Sequence, residues 1–131
     1  MEAIGRKIFG GTAVGEALVS LQPISFYGGV DPLNGEVVEK GHDLQGKSIA
    51  GKILVFPNGK GSTVGSYTLY RLKKNGVAPA AIINKEADPI VAVGAIISGI
   101  PMVDKLSPQA YEALKTGMRV EVKADDAKII W

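Results

Sequence analysis

The residues able to do chemistry in this sequence concentrate in one segment, Phe56 to Ser66 (FPNGKGSTVGS). A glycine-rich loop, Asn58-Gly59-Lys60-Gly61, runs directly into the hydroxyls of Ser62 and Thr63. The glycines permit close backbone approach, Lys60 adds a cation, and each hydroxyl can donate or accept a hydrogen bond. Where such a loop opens a helix, unpaired N–H groups and the positive end of the helix dipole form a site for carboxylate or phosphate. The same electropositive surroundings would stabilise a serine alkoxide. A plainer role fits as well, in which Ser62 or Thr63 caps the helix and the glycines shape a turn.

Two familiar chemistries fail on spacing. The phosphate loop G-x-x-x-x-G-K-[ST] needs a hydroxyl directly after its lysine, and here Gly61 intervenes. The nucleophile elbow G-x-S-x-G is absent around Ser62, and a serine hydrolase would have to use the lone His42 as its base. His42 lies in Glu39-Lys40-Gly41-His42-Asp43-Leu44, which reads as a polar, exposed turn. It could shuttle protons or carry phosphate, or simply brace its loop. Asp31, in Gly28-Gly29-Val30-Asp31-Pro32, could orient a substrate group or a partner loop; Asp before Pro also makes ordinary turns. Arg71, Lys73 and Lys74 read as a solvated helix end complementing the dipole.

Composition removes further classes. With no cysteine, the chain can form no disulfide, thiol nucleophile, zinc finger or iron–sulfur cluster of its own, and one histidine excludes a multi-histidine metal site. No metal site is expected. The net charge of +2 comes from scattered residues, so nucleic acid is not an expected partner. Hydrophobic residues at 46% and charged residues at 21% are globular proportions. The start, MEAIGRKIFGG, lacks the apolar run of a signal peptide. The longest apolar stretch, Pro89 to Met102, contains Gly94 and Gly99 and is too short for a bilayer. These features predict a soluble, cytoplasmic protein without membrane contact, and 131 residues suit a single domain over 1–131.

The elements that must position the loop follow from period and punctuation. Ile4 to Phe9 reads as one strand ended by Gly10-Gly11, and Ala17 to Leu21 as a second stopped by Pro23. Ser25 to Asn34 is a structured loop or turn pair, with a possible strand at Glu36 to Glu39. Lys52 to Phe56 is a buried strand leading into the glycine loop, and a helix capped by Ser62 or Thr63 runs to about Lys74, with Gly76 as its stop. Its Gly65, Thr68, Leu69, Leu72 and Gly76 share one face. Ala80 to Asn84 is a buried strand, Pro89 to Ser98 a helix and Ile100 to Val103 a short strand. Ser107-Pro108 starts a helix ending at Gly117, and Met118 to Lys123 and Lys128 to Trp131 close the chain as strands. Strands first, then strand–helix alternation, then a terminal strand pair describe a mixed α/β domain.

Two long stretches, Ser25-Phe-Tyr-Gly-Gly-Val-Asp-Pro-Leu-Asn-Gly-Glu36 and Gly51-Lys-Ile-Leu-Val-Phe-Pro-Asn-Gly-Lys-Gly-Ser-Thr-Val-Gly-Ser66, with His42 between them, resemble the small subunit of aconitase X. The similarity extends over essentially the whole chain. It implies a swivelling β/β/α domain like the mobile fourth domain of aconitases. It also implies a heteromeric hydro-lyase, active only with a large partner subunit that carries a 4Fe-4S cluster, none being bound by this chain. On the archaeal isoprenoid route the small phosphorylated carboxylate substrate would be (R)-5-phosphomevalonate, converted to trans-anhydromevalonate 5-phosphate. The resemblance gives Ser62 the role of catalytic base while the large subunit's cluster activates the leaving hydroxyl. Lys60, Gly61 and Thr63 would then bind substrate anions, and Gly28, Gly29, Asp31 and His42, by their loop character, would face the partner or shape its loop. Bacterial members of the family acting on cis-3-hydroxyproline, a non-enzymatic anion-binding or phosphocarrier swivelling domain, and a purely structural assembly subunit are the alternatives.

Overall fold

Each of the buried apolar runs becomes a strand, and the chain threads them into one sheet. The computed structural model describes residues 1–131. In chain order the strands are β1 (Glu2–Ile4), β2 (Arg6–Phe9), β3 (Thr12–Val19), β4 (Ile53–Phe56), β5 (Ala81–Asn84), β6 (Met102–Asp104), β7 (Arg119–Lys123) and β8 (Lys128–Ile130). Between them lie a kinked turn α1 (Phe26–Gly29) and the helices α2 (Gly65–Lys74), α3 (Pro89–Ser98) and α4 (Pro108–Ala113). No helix is long and apolar enough to cross a membrane.

The sheet has eight strands in the order β1-β8-β7-β3-β4-β5-β6-β2. Strands β3 to β6 run parallel, and antiparallel strands flank them on both sides. β4 and β5 are buried at every position, as parallel strands covered on both faces should be. Their side chains alternate between two cores. Leu54, Phe56, Ile82 and Met102 pack with Leu69 and Leu72 of α2 and Val91 and Ala95 of α3. Ile53, Val55, Ala81, Ile83 and Val103 pack on the other face with Leu114, Val120, Val122 and Ile129. β3 serves both regions: Thr12–Glu16 pairs antiparallel with β7, and Ala17–Val19 pairs parallel with β4.

Several boundaries differ from the sequence expectation. Ile4 to Phe9 is two strands, because Gly5 breaks the run and sends β1 to β8 and β2 to β6, opposite ends of the strand order. Consecutive segments at the two ends of that order mean that the sheet rolls back on itself. The strand expected at Ala17–Leu21 runs over Thr12–Val19, since Gly15 hid its first half while backbone pairing with β7 formed it anyway. Glu36–Glu39 makes only isolated bridges, Val30 with Val37 and Glu36 with Ser48. The last helix stops at Ala113, its C-cap Leu114 already extended. Other expectations hold closely. α3 spans Pro89–Ser98 with Gly99 left-handed at its C-cap, and α2 ends before Gly76.

Candidate functional site

The glycine loop leaves the carboxyl end of β4 and is fastened from two directions. Ile24 N–H donates to the Asn58 carbonyl at 3.2 Å, and Lys60 N–H donates to the Ile24 carbonyl at 3.0 Å, so the loop forms a parallel bridge with the segment before α1. Gly59 N–H donates to Asp88 Oδ1 at 2.7 Å. Gly61 adopts φ +87°, and a Cβ there would come within 2.5 Å of Ser25 Oγ, so glycine is required at this bend.

Ser62 follows, exposed. Its Oγ accepts the Val64 N–H at 3.1 Å. The Ser62 and Thr63 carbonyls accept from Gly65 and Ser66 N–H at 2.9 and 3.3 Å, so residues 62–64 form a turn that precedes the helix. The expected N-cap is therefore displaced: α2 begins at Gly65 after Val64, without a side-chain cap, because the Ser62 hydroxyl is spent on a local turn. The N–H groups of Gly61, Ser62 and Thr63 find no acceptor within the chain. Three consecutive unpaired donors flank Ser62 along the chain, and hydrogen bonds to an oxyanion favour its charged form.

Lys60 is less free than its sequence suggests. Its Nζ donates to Glu39 Oε2 at 2.8 Å. With Ser25, Tyr27, Gly28, Gly29, Glu39 and Gly61 it lines an open depression of about 440 Å³. The structure thus brings Gly28 and Gly29 beside Lys60 and Gly61. Thr63 lies at the end of a second groove, about 370 Å³, between α2 and α3. Asp31 does not line the Lys60 depression but an adjoining one with Tyr27 and Gly28; its Oδ1 accepts the Leu33 N–H at 2.9 Å within a turn, and Gly35 N–H returns to its carbonyl at 2.8 Å.

His42 corrects the expectation of an exposed turn. Its side chain is 1% exposed. Nδ1 accepts the Leu44 N–H at 3.0 Å and lies 3.1 Å from Asp43 Oδ1, while Nε2 sits 3.0 Å from the Pro23 carbonyl. Both nitrogens are engaged, so the ring braces the loop and offers no free nitrogen. With no cysteine in the chain and no cluster of metal-ligating side chains, its residues do not fit an iron–sulfur cluster. A larger cavity, about 570 Å³, lies elsewhere, lined by Val19, Phe56, Lys85, Tyr111 and Lys115 among others, and it holds none of Gly28, Gly29, Asp31, His42 or Lys60–Thr63.

Two contributors escaped the sequence reading. Asp88 both holds Gly59 and caps α3, its Oδ2 accepting Ile90 N–H at 3.1 Å and Val91 N–H at 3.3 Å. The Asp-Pro pair opening an apolar run was the available signal. Glu39 had none, since it meets Lys60 only through the fold.

The aconitase X swivel-domain model matches residues 2–130. The chain belongs to the aconitase X swivel-domain family. Among its curated relatives, the phosphomevalonate dehydratase small subunit of Methanocella arvoryzae is 62% identical over 122 residues, covering 93% of this chain and 92% of that protein. The protein of the same name from Thermococcus kodakarensis is 60% identical over 129 residues, covering 98% and 95%. A crystal structure of Thermococcus kodakaraensis aconitase X in its holo-form superposes with a TM-score of 0.94 at 59% identity, covering 98% of this chain and 96% of that one. The rolled sheet with its two cores is thus the aconitase X swivel fold, and the glycine loop, Ser62 and α2 are parts of it.

Proposed function

We propose that this chain is the small subunit of a cytoplasmic, heteromeric hydro-lyase that dehydrates (R)-5-phosphomevalonate to trans-anhydromevalonate 5-phosphate. The names of its relatives supply the reaction class. The observation that carries the role of this chain is the exposed Ser62 hydroxyl beside unpaired N–H groups at 61–63.

The reaction removes a proton from the carbon next to a carboxylate while a hydroxyl leaves the neighbouring carbon. A serine hydroxyl is a poor base at neutral pH, so Ser62 needs its alkoxide stabilised. Its Oγ already accepts the Val64 N–H, and fixed donors of this kind are worth most where water is excluded. Lys60 and Gly61, from the open depression, and Thr63, from the α2–α3 groove, would bind the substrate's anionic groups. The site on this chain is shallow and open, so closure and activation of the leaving hydroxyl fall to the large subunit, which would also hold the cluster. Gly28, Gly29 and Asp31 lie on the neighbouring turn and would border that partner. His42, buried with both nitrogens engaged, disfavours a phosphocarrier role.

The test is co-expression with the large subunit, anaerobic purification and assay of water loss from 5-phosphomevalonate. Ser62→Ala is expected to lower kcat by about 10³-fold or more while the complex purifies intact. Near-normal turnover in that variant would remove Ser62 from the mechanism, and turnover of cis-3-hydroxyproline in place of 5-phosphomevalonate would overturn the substrate.

A further inference from the structure

Helix α3, PIVAVGAIIS, carries no charged residue, and Ser98 is its only polar side chain. A helix at a protein surface ordinarily turns a polar face outward. Here Val91, Gly94, Ala95 and Ser98 are buried beneath it, and the outer face is Val93, Ile96 and Ile97, exposed by 48%, 48% and 44%. Tyr67 of α2, 67% exposed, and Tyr70 extend the apolar surface across the seam between the helices. The groove along that seam is walled by Tyr67, Val93 and Ile97 and ends at Thr63, next to Ser62. Ser66 Oγ donates to the Ile90 carbonyl at 2.6 Å and fixes the groove floor.

We propose that this α2–α3 face is the docking surface for the large subunit. The inference rests on the small-subunit reading above and adds where the partner lands. A protein that closes over Ser62 must rest on ground continuous with that loop. On one side this ground is the polar, ion-paired depression of Lys60 and Glu39; on the other it is the apolar groove. Interface cores are apolar and aromatic with a polar rim, which matches the tyrosines and aliphatics here and the basic Lys73 and Lys74 at the end of α2. The partner surface is therefore apolar at its centre and acidic at the edge that meets those lysines.

The experiment uses the full chain and its large subunit. Val93→Asp and Ile97→Asp would each weaken heteromer formation by about 100-fold in a titration followed by sedimentation, as for central residues of an interface. Ile4→Asp, on the exposed edge strand β1, would leave it unchanged. Circular dichroism melts check that each variant folds; independently, amide exchange in the wild-type complex would slow across α2 and α3. Unchanged affinity in both variants, or no protection of these helices in a complex that does form, overturns the docking surface while the small-subunit role stands. Failure of the wild-type chain to bind the large subunit overturns that role and the docking inference with it. A wild-type homodimer broken by the same variants, with the heteromer intact, would assign the face to a second copy and overturn the proposal.

Discussion

At the scale of single residues, the geometry asks most of Lys60 and its neighbour. Its ammonium is paired with Glu39, so an incoming anion competes with a carboxylate already in place. Lys60→Met in the assembled complex is expected to raise KM about 10-fold with little change in kcat. Glu39→Gln should act in the opposite sense and lower KM severalfold, because the cation is no longer neutralised. A raised KM in Glu39→Gln, measured by steady-state kinetics, would contradict an anion-binding Lys60. This pairing marks the limit of what the sequence discloses. Gly59, Lys60, Gly61 and Ser62 follow a buried apolar run directly, and such local chemistry is readable. Glu39 reaches Lys60 only because the bridges Ile24–Gly59 and Val30–Val37 bring the glycine loop and the segment after α1 to the same turn. His42 lies among polar residues in sequence, and its burial depends on the Pro23 carbonyl, 19 positions away.

At the scale of elements, capping chemistry sets what was legible. α3 is legible as the apolar run Pro89–Ser98, though not its Asp88 cap, and the end of α2 is legible through Gly76. The start of α2 is not, because a hydroxyl near a helix start can serve a turn as readily as a cap. α4 is short and lacks a side-chain cap; Tyr111 holds it in place. The Tyr111 hydroxyl donates to the Asn84 carbonyl at 2.6 Å and accepts the Leu106 N–H at 3.0 Å, latching α4 onto β5 and the chain after β6. Tyr111→Phe is expected to cost about 1–2 kcal/mol in urea unfolding at pH 7, since both partners lose the hydroxyl. Burial pushes the Tyr111 pKa up, the hydrogen bond from Leu106 opposing and the nearby Asp104 charge adding to the rise. The folded chain thus keeps this proton to higher pH than the unfolded chain. The stability contribution is complete below about pH 10 and falls as pH rises above it. Urea midpoints between pH 7 and 11 should show a shallower alkaline loss in Tyr111→Phe than in wild type.

At the scale of the whole molecule, the rolled sheet depends on one junction. A Cβ at Gly5 would collide with the Asp104 carbonyl oxygen and stand 2.9 Å from Leu106 Cδ2. Next to it, Arg6 clamps the buried Asp104 carboxylate through two bonds, Nε to Oδ1 at 3.0 Å and a terminal nitrogen to Oδ2 at 2.7 Å. Gly5→Val is expected to destabilise the domain by about 3 kcal/mol, read as a lowered urea midpoint. An unchanged midpoint would show that β1 and β2 are not locked at this point. Hydrophobic alternation across Ile4–Phe9 could not reveal the break, because the reason for it stands in strands β6 and β8. That separation also fixes an order of events during synthesis. Glu2 pairs with Ile130, and Arg6 reaches a partner 98 positions later. Contacts of such high contact order form slowly. On the ribosome, β4, α2, β5 and α3 emerge with their own partners in hand, whereas β2 waits with a bare edge for β6 and β1 for β8. β1 precedes every other strand of the sheet and finds its partner only when β8, the last of them, appears.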